Sequence, residues 1–576
     1  MASDEDDQRV PLKEQLRLFR RLAVPYFEQA EGAKLQFALL LLLVLIDAGV
    51  SVVFSYVGRD FYSALSAKDQ ALFIEKTANF AVGLAVATPL TVLFRFQRSR
   101  LALNWRAWMT TELARQYCTD QTFYQIELDP RVDNPDQRLT EDIKAFTAVS
   151  LDFGIDLMTS VIDLVSFSGI LYSIYPELFY VIFAYATFGT LTTLQLGKTL
   201  VGQNAQVLLR EANLRYSLVR LRENAESIAF YGGEAQEARE VRDRLEGAVE
   251  GRRAVLGTQR NLEFFTTAYR YAIQILPVLV VSPLYFAGTI ELGVITQSSG
   301  AFNSILDDLS LIVNEFEGIS RFSAGLRRLT AFGDSAAPST PPVPAPPSPS
   351  PLPFRALAID DLSLLTPDGS RLLFANVSLT VRCGEHLLVT GQSGAGKSSM
   401  LRAIAGLWTR GSGIVTRPLT ADTMFLPQRP YCALGSLRQQ LVYPRPLEEW
   451  SGAEWTGTDD ALLRALGEVQ LTRLASEGTA GLDAVRDWAD ELSLGEQQRL
   501  SIARVLLRKP RLAILDEATS ALDLENEALL YNALGQLEGL TYLSVGHRPS
   551  LLNFHASRLR LYGVERTPCY AVETIG

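Results

Sequence analysis

Gly391-Gln392-Ser393-Gly394-Ala395-Gly396-Lys397-Ser398 is the stretch that decides how this chain reads. It matches G-x-x-x-x-G-K-[ST], and its flanks suit that pattern. HLLVT (386–390) reads as an apolar strand before it, and SMLRAIAGLW (399–408) as a helix after it. Glycines at these positions let backbone N–H groups approach and cradle phosphate oxygens, and the helix N-terminus adds positive potential. Lys397 reaches toward β- and γ-phosphates, Ser398 can ligate magnesium, and Ser399 completes the candidate nucleotide-binding set. The implied ligand is ATP with Mg2+.

A second apolar strand, LAIL (512–515), ends at Asp516-Glu517. At such a strand tip Asp516 can hold magnesium through water, and Glu517 can orient or deprotonate the attacking water. The competing reading, that both carboxylates only cap the next helix, fits poorly in a chain that also carries the phosphate loop. Residues 355–576 have no long apolar run and read as a soluble α/β domain.

Outward from that domain, the composition is mixed. The 576 residues are 48% hydrophobic and 20% charged with a formal charge of −10, and the mean hydropathy is +0.10 at a pI of 5.2. General disorder is excluded by the apolar content. The acidic balance argues against a nucleic-acid partner. Four scattered cysteines match no zinc or disulfide framework, and three histidines leave little room for a histidine metal centre.

The average hydropathy hides a membrane half. Residues 35–57 hold FALLLLLVLI and break only at Asp47, long enough for the roughly 30 Å hydrocarbon core. Further spans are expected at 80–96, 148–175, 177–197, 264–286 and 292–314, with the lipid bilayer as partner. Lys and Arg concentrate after spans two and four, including Arg95, Arg98, Arg100, Arg106, Lys198, Arg210, Arg215 and Arg220. The positive-inside rule therefore puts both ends of this half, and the α/β domain, in the cytosol. Residues 97–128 and 198–262 lack proline and should continue the spans as cytosolic helices. The expected division is a tail and interfacial helix over 1–30, a membrane domain over 31–335, a proline-rich linker over 336–354, and the nucleotide domain over 355–576. The linker AAPSTPPVPAPPSPSPLP (336–353) should be an extended spacer that joins no sheet ladder.

Leu492-Ser493-Leu494-Gly495-Glu496-Gln497-Gln498-Arg499 resembles the L-S-G-G-Q signature of an ATP-binding-cassette domain, with Leu494 replacing the first glycine and Glu496 the glutamine. The resemblance implies that Ser493, Gly495 and Glu496 face a γ-phosphate. It implies that Gln428 in FLPQRPY senses magnesium and the membrane domain, that Asp523 in Ser520-Ala521-Leu522-Asp523 lies in the D-loop, and that His547 in SVGHRPS is the switch histidine. Gln428, Glu517 and His547 are the implied catalytic group, and Ser398, Gln428 and Asp516 the implied magnesium set. His386 and His555 receive no role. The adenine-stacking tyrosine of many cassettes is missing: Thr366 stands near its place, with Phe354 and Phe374 as substitutes or core residues.

In this family ATP is held between the phosphate loop of one cassette and the signature of another. One of each per chain implies a half-transporter, working as a homodimer or with a related half. TPDG (366–369), DWADEL (487–492), RPYCALGSLRQQLVYP (429–444), HRPSLLNFH (547–555) and DNPDQRLTEDI (133–143) resemble subfamily D. That group contains peroxisomal very-long-chain acyl-CoA half-transporters, a lysosomal cobalamin relative, and plastid and bacterial relatives. The implied fold is an α-helical six-span transmembrane domain of exporter type followed by an α/β P-loop nucleotide-binding domain. The same resemblance brings 133–143 and 224–240 to the cassettes, and leaves a bacterial plasma membrane or an organelle membrane open.

Asp47 lies mid-span, Asp152, Asp156 and Asp163 share one helical stripe, and Asp307 and Asp308 interrupt the sixth span, against Arg270 as the one clear basic residue in a membrane core. An aqueous cavity with an acidic wall is the expectation. It favours a polar or amphipathic small-molecule substrate, cobalamin-like or peptide-like, over an anionic acyl-CoA. The function so expected is ATP-driven transport. The alternatives are acyl-CoA transport and, from another class, a membrane regulator whose cassette does not hydrolyse ATP.

Overall fold

The computed structural model describes residues 12–575 apart from 128, 130, 131, 133, 315, 337–347, 350–354, 409, 446–457 and 563–568. The chain divides into two compact units, Met1–Ser339 and Thr340–Gly576.

The first unit is helical: α1 (Leu12–Gln29), α2 (Ala33–Ser66), α3 (Gln70–Cys118), α4 (Ile143–Ile174), α5 (Pro176–Glu223), α6 (Ala225–Tyr231), α7 (Glu234–Phe286), α8 (Leu292–Asn314) and α9 (Phe316–Ala336). Helices α2, α3, α4, α5, α7 and α8 fall on the six expected spans. Among the described residues, α2, α3, Pro135–Ile174 and α7 are long and apolar enough to cross a membrane. Each boundary has a local cause. The Asp69 carboxylate accepts from the N–H groups of Ala71 and Leu72 at the start of α3. Tyr175 is extended, and Pro176 opens α5 at a position where its missing N–H costs nothing. Apolar side chains such as Leu35, Leu42, Val82 and Val165 remain exposed, as a lipid-facing surface requires.

The inner faces pack. Phe167 and Leu171 of α4, Leu178 and Ile182 of α5, Val281 of α7 and Phe302 and Ile305 of α8 form one buried cluster. Tyr185 of α5 stacks on Tyr269 of α7 with ring centroids 4.3 Å apart, and each hydroxyl donates to the other residue's backbone carbonyl, at 2.6 and 3.0 Å. Gly189 makes room for this, because a Cβ there would collide with the Tyr269 ring. Helix α1 turns Ala23 and Tyr26 inward, with Tyr26 stacked on Trp105 at 5.7 Å, while Lys13, Arg17 and Arg20 stay exposed.

Three expectations change. The first cytosolic extension ends at Cys118 rather than 128, because Asp120 and Gln121 take positive φ and a separate short helix, Thr122–Glu127, follows. The second is interrupted over 224–233, where α6 ends at Gly232 with φ 64° and leaves Phe230 and Tyr231 exposed. The acidic stripe is partly neutralised: Arg98 of α3 donates to Asp152 at 2.7 Å and, through both terminal nitrogens, to Asp156 at 2.7 and 2.9 Å. Asp47, Asp163, Asp307 and Asp308 lie deeper in the spans than Glu177, which sits at a span end and accepts from the Tyr175 hydroxyl at 2.6 Å, and Asp47 accepts from the Thr91 hydroxyl at 2.7 Å.

The second unit carries two sheets built from β1 (Arg355–Leu365), β2 (Leu372–Arg382), β3 (Leu387–Gly391), β4 (Gly411–Arg417), β5 (Thr423–Leu426), β6 (Leu512–Asp516), β7 (Thr541–Val545), β8 (Ser557–Leu561) and β9 (Tyr570–Thr574). The smaller sheet has β4 and β2 antiparallel on either side of β1. Ser348 and Pro349 also lie parallel to Thr416 and Arg417 of β4. This corrects the expectation that the proline-rich linker joins no ladder: an edge position tolerates proline's missing N–H. Most of that linker, and Phe354, lie outside the described residues. The larger sheet runs β9-β8-β3-β7-β6-β5, with every neighbouring pair parallel except β9–β8. Helix α10 (Lys397–Ala405) packs Met400, Leu401 and Ile404 with Leu387, Val389, Phe374 and Leu561, and α11 (Leu494–Arg508) forms a second core with Trp488 and Leu466. Helix α12 (Leu524–Gly535) follows β6.

His555 makes the stability of this unit depend on pH. It is 5% exposed, its Nδ1 lies 2.6 Å from the Leu551 carbonyl, and its Nε2 is buried with no hydrogen-bond partner. Burial pushes its pKa down from 6.5 to about 4. The folded state therefore holds the neutral ring while the unfolded state takes up a proton below pH 6.5. Stability is complete above that pH and falls by about 3 kcal/mol as the pH drops from 6.5 to 4. Between pH 6.5 and 4 the wild type should lose about 3 kcal/mol more stability than His555→Leu, read from their melting curves, and parallel curves would refute this account.

Candidate functional site

The parallel register places the chemistry. Gly391 ends β3, Asp516 ends β6 opposite Val545 at the end of β7, and Leu426 ends β5 opposite Leu515. Gln428 and His547 follow two residues after their strands. The phosphate loop, Gln428, Asp516-Glu517 and His547 thus sit at the carboxyl ends of four adjacent strands, where an open α/β sheet binds ligands.

The loop turns through Gly394 and Gly396, with φ of 81° and 91°. A Cβ on Gly396 would stand 3.0 Å from the Phe374 ring, which is fully buried beneath it. Phe374 is therefore core, and it supports the loop from below. Thr366 bonds Asp368 and Arg371 in the turn that joins β1 to β2, and hydrogen bonds from Ser370 and Thr366 hold the Asp368 carboxyl down at about 2.

Lys397 opens α10 and donates to the carbonyls of Gly391 and Gln392, both at 2.9 Å. Burial holds its ammonium below the usual lysine range, while Glu517 and Asp516 oppose that shift. Ser398 hydrogen-bonds Asp516, whose carboxyl is pushed up by burial and by the neighbouring Glu517. Glu517 has φ 49°, a left-handed backbone that costs of order 1–3 kcal/mol for a non-glycine residue. That backbone directs the carboxylate between two partners. Gln428 Nε2 donates to Oε2 at 3.0 Å, and His547 Nε2 lies 3.6 Å from Oε1.

The signature residues and Asp523 make their bonds elsewhere. Ser493 caps α11: its hydroxyl accepts from the Glu496 N–H, and the Glu496 carboxylate accepts from the Ser493 N–H at 3.0 Å. This explains a glutamate at that position. Gly495 lies against the Ala521 carbonyl and the Leu522 side chain. Asp523 caps α12 by accepting from the Asn526 N–H at 2.8 Å. His386 stacks on Tyr542 at 3.7 Å, consistent with a packing residue. Sequence reasoning missed Gln498 and Arg548, which bond the backbone of this region; a hydrogen bond to backbone leaves no partner residue type to search for.

Residues 21–286 match the family described as ABC transporter transmembrane region 2, and residues 374–520 the family described as ABC transporter. The chain is 42% identical to the Arabidopsis thaliana protein named ABC transporter D family member 2, chloroplastic, over 96% of this chain and 87% of that protein. It is 32% identical to the Homo sapiens lysosomal cobalamin transporter ABCD4, over 95% of this chain and 94% of that protein. The solved structure of a bacterial Atm1-family ABC exporter with ATP bound superposes with a TM-score of 0.73 at 16% identity, covering 92% of this chain and 94% of that one, a likeness of fold. With an ATP-hydrolysing cassette and a multi-span membrane domain of exporter type, the chain belongs to the ABC transporters as a half-transporter of subfamily D.

Proposed function

We propose that two copies of this chain form the working transporter and move a polar or amphipathic small molecule, of cobalamin-like or peptide-like chemistry, across the membrane. The observation that carries the substrate class is the residual charge in the spans. Among the described residues, Asp163 and Asp308 each keep a buried carboxylate oxygen without a hydrogen-bond partner, and Asp47 is bonded to a neutral threonine. Such groups suit a solute that brings hydrogen-bond donors or positive charge, and repel the phosphates of acyl-CoA. The 32% identical relative named as a cobalamin transporter supports the same class.

In the cassette, Lys397 and the loop N–H groups bind the triphosphate, and Ser493 and Gly495 of the second copy complete the site. Ser398, Asp516 and Gln428 offer only oxygen donors, a set that fits Mg2+. The ion would neutralise phosphate charge. Glu517 holds the attacking water and takes its proton, and His547 contacts the γ-phosphate. Closure of the cassettes on ATP switches the side to which the membrane domain opens, and hydrolysis resets it.

Purified protein in proteoliposomes should show ATPase stimulation of about threefold or more with cobalamin or a basic peptide, and Asp163→Asn should lower it. Stimulation and uptake with acyl-CoA alone would overturn the substrate reading in favour of acyl-CoA transport.

A further inference from the structure

The D-loop, residues 520–523, is held in shape by two long side chains from outside it. Gln498, in α11 and fully buried, accepts from the Ala521 N–H through Oε1 at 3.0 Å and donates through Nε2 to the Ser520 hydroxyl at 3.3 Å. The same Nε2 lies 3.0 Å from the backbone carbonyl of Gln428. Arg548, the residue after His547, donates to the carbonyls of Leu522 at 2.6 Å and Ser520 at 2.9 Å. Its guanidinium is anchored on Glu527, a nearly inaccessible carboxylate that also accepts from Ser550 at 2.6 Å and Thr519 at 3.1 Å. Inside the loop, the Ser520 N–H donates to the Glu517 carbonyl at 3.0 Å.

Each anchor is therefore tied to a residue of the nucleotide site. Gln498 binds the backbone of Gln428, Arg548 is covalently next to His547, and the loop itself begins three residues after Glu517. A shift of Gln428 or His547 toward a γ-phosphate cannot occur without tension on Ser520, Ala521 or Leu522. The loop in turn lies against Gly495, at the start of the signature helix.

We propose that Gln498 and Arg548 are positioning residues that transmit the state of one ATP site to the D-loop and signature helix, and so to the ATP site completed by the second copy. This rests on the two-copy reading above. Neither residue belongs to the phosphate loop or to the carboxylate pair Asp516-Glu517. Gln498 carries the signal from the Gln428 side and Arg548 from the His547 side, and they meet on three consecutive residues. Removing either should leave ATP binding to the phosphate loop intact while uncoupling the two sites.

The test uses the full chain in lipid nanodiscs, with Gln498→Leu, Gln498→Glu, Arg548→Met and Arg548→Lys. ATPase rate is measured against ATP concentration, and equilibrium binding with a fluorescent ATP analogue. The wild type should be cooperative, with a Hill coefficient approaching about 2. Gln498→Leu and Arg548→Met should lower kcat about tenfold or more and bring the Hill coefficient to about 1, with analogue affinity within about twofold of wild type. Gln498→Glu keeps the acceptor for Ala521 but loses both donors, so it should resemble the leucine variant. Arg548→Lys should recover part of the cooperativity. Wild-type kcat and cooperativity in the methionine and leucine variants would overturn the assignment, as would a parallel loss of analogue binding, which marks a purely structural role. Should the Gln498 variants fail to fold, Arg548, whose side chain is partly exposed, decides the matter. Nanodiscs that hold a single chain and hydrolyse ATP as fast per chain as those that hold two would instead remove the two-copy reading.

Discussion

Glu517→Gln should lower steady-state ATPase by about a thousandfold while the protein still binds ATP. The left-handed backbone at residue 517 and its N–H bond to the Val545 carbonyl at 3.1 Å do not depend on the side chain's charge. Glutamine has the same length, and its amide oxygen can still accept from Gln428, which now donates at 3.0 Å. Folding and nucleotide binding should therefore survive. What is lost is the carboxylate proposed to take a proton from water, since an amide has no basicity at neutral pH. Without turnover the ATP-bound state should accumulate, and the variant should retain unhydrolysed ATP through gel filtration, whereas the wild type converts it to ADP and releases it. Phosphate release measures the first outcome. Full activity in the variant would take Glu517 out of the catalytic role and leave His547, 3.6 Å away, as the next candidate.

Much of this site was legible because its parts are short and contiguous. HLLVT and LAIL are apolar runs that could only be buried strands in an α/β domain, and they lie in the sheet as β3 and β6. Gln428, Asp516, Glu517 and His547 sit within two residues of a strand end, and Lys397 and Ser398 lie in the loop and helix that follow another, so local pattern was enough to place them. Phe374 could be weighed from sequence but not decided, because its role depends on lying under Gly396, twenty-two residues later in the chain.

Long-range pairing was the part that pattern could not reach. Arg98 reads as one of several basic residues at a span's end, yet its partners, Asp152 and Asp156, come from another helix more than fifty residues away. The aspartates of α4 share one face in the sequence pattern, but the counter-charge for two of them belongs to α3, which that pattern does not contain. Gln498 and Arg548 pose the same difficulty in sharper form. Their bonds end on backbone atoms, and every residue has those.

Lys397→Ala should have the opposite signature to Glu517→Gln: ATP affinity should fall about a hundredfold, near 2.7 kcal/mol, and turnover should vanish with it. The lysine is the cation of the phosphate loop, and it lies beside Asp516 and Glu517, whose charges oppose the downward shift that burial imposes on it. Alanine would leave those two carboxylates facing the triphosphate without a counter-charge from the loop. It would also remove the donor to the carbonyls of Gly391 and Gln392, both 2.9 Å from Nζ, and so loosen the loop that must cradle phosphate. Lys397→Arg keeps the charge, but its planar fork is larger and less able to lie within the turn between those two carbonyls. It should recover only part of the affinity. Equilibrium binding of a fluorescent ATP analogue separates the cases: the glutamine variant at 517 binds and does not turn over, whereas the alanine variant at 397 does neither. Tight binding in Lys397→Ala would mean that the loop's N–H groups alone hold the triphosphate, and the electrostatic role given to Lys397 would fail.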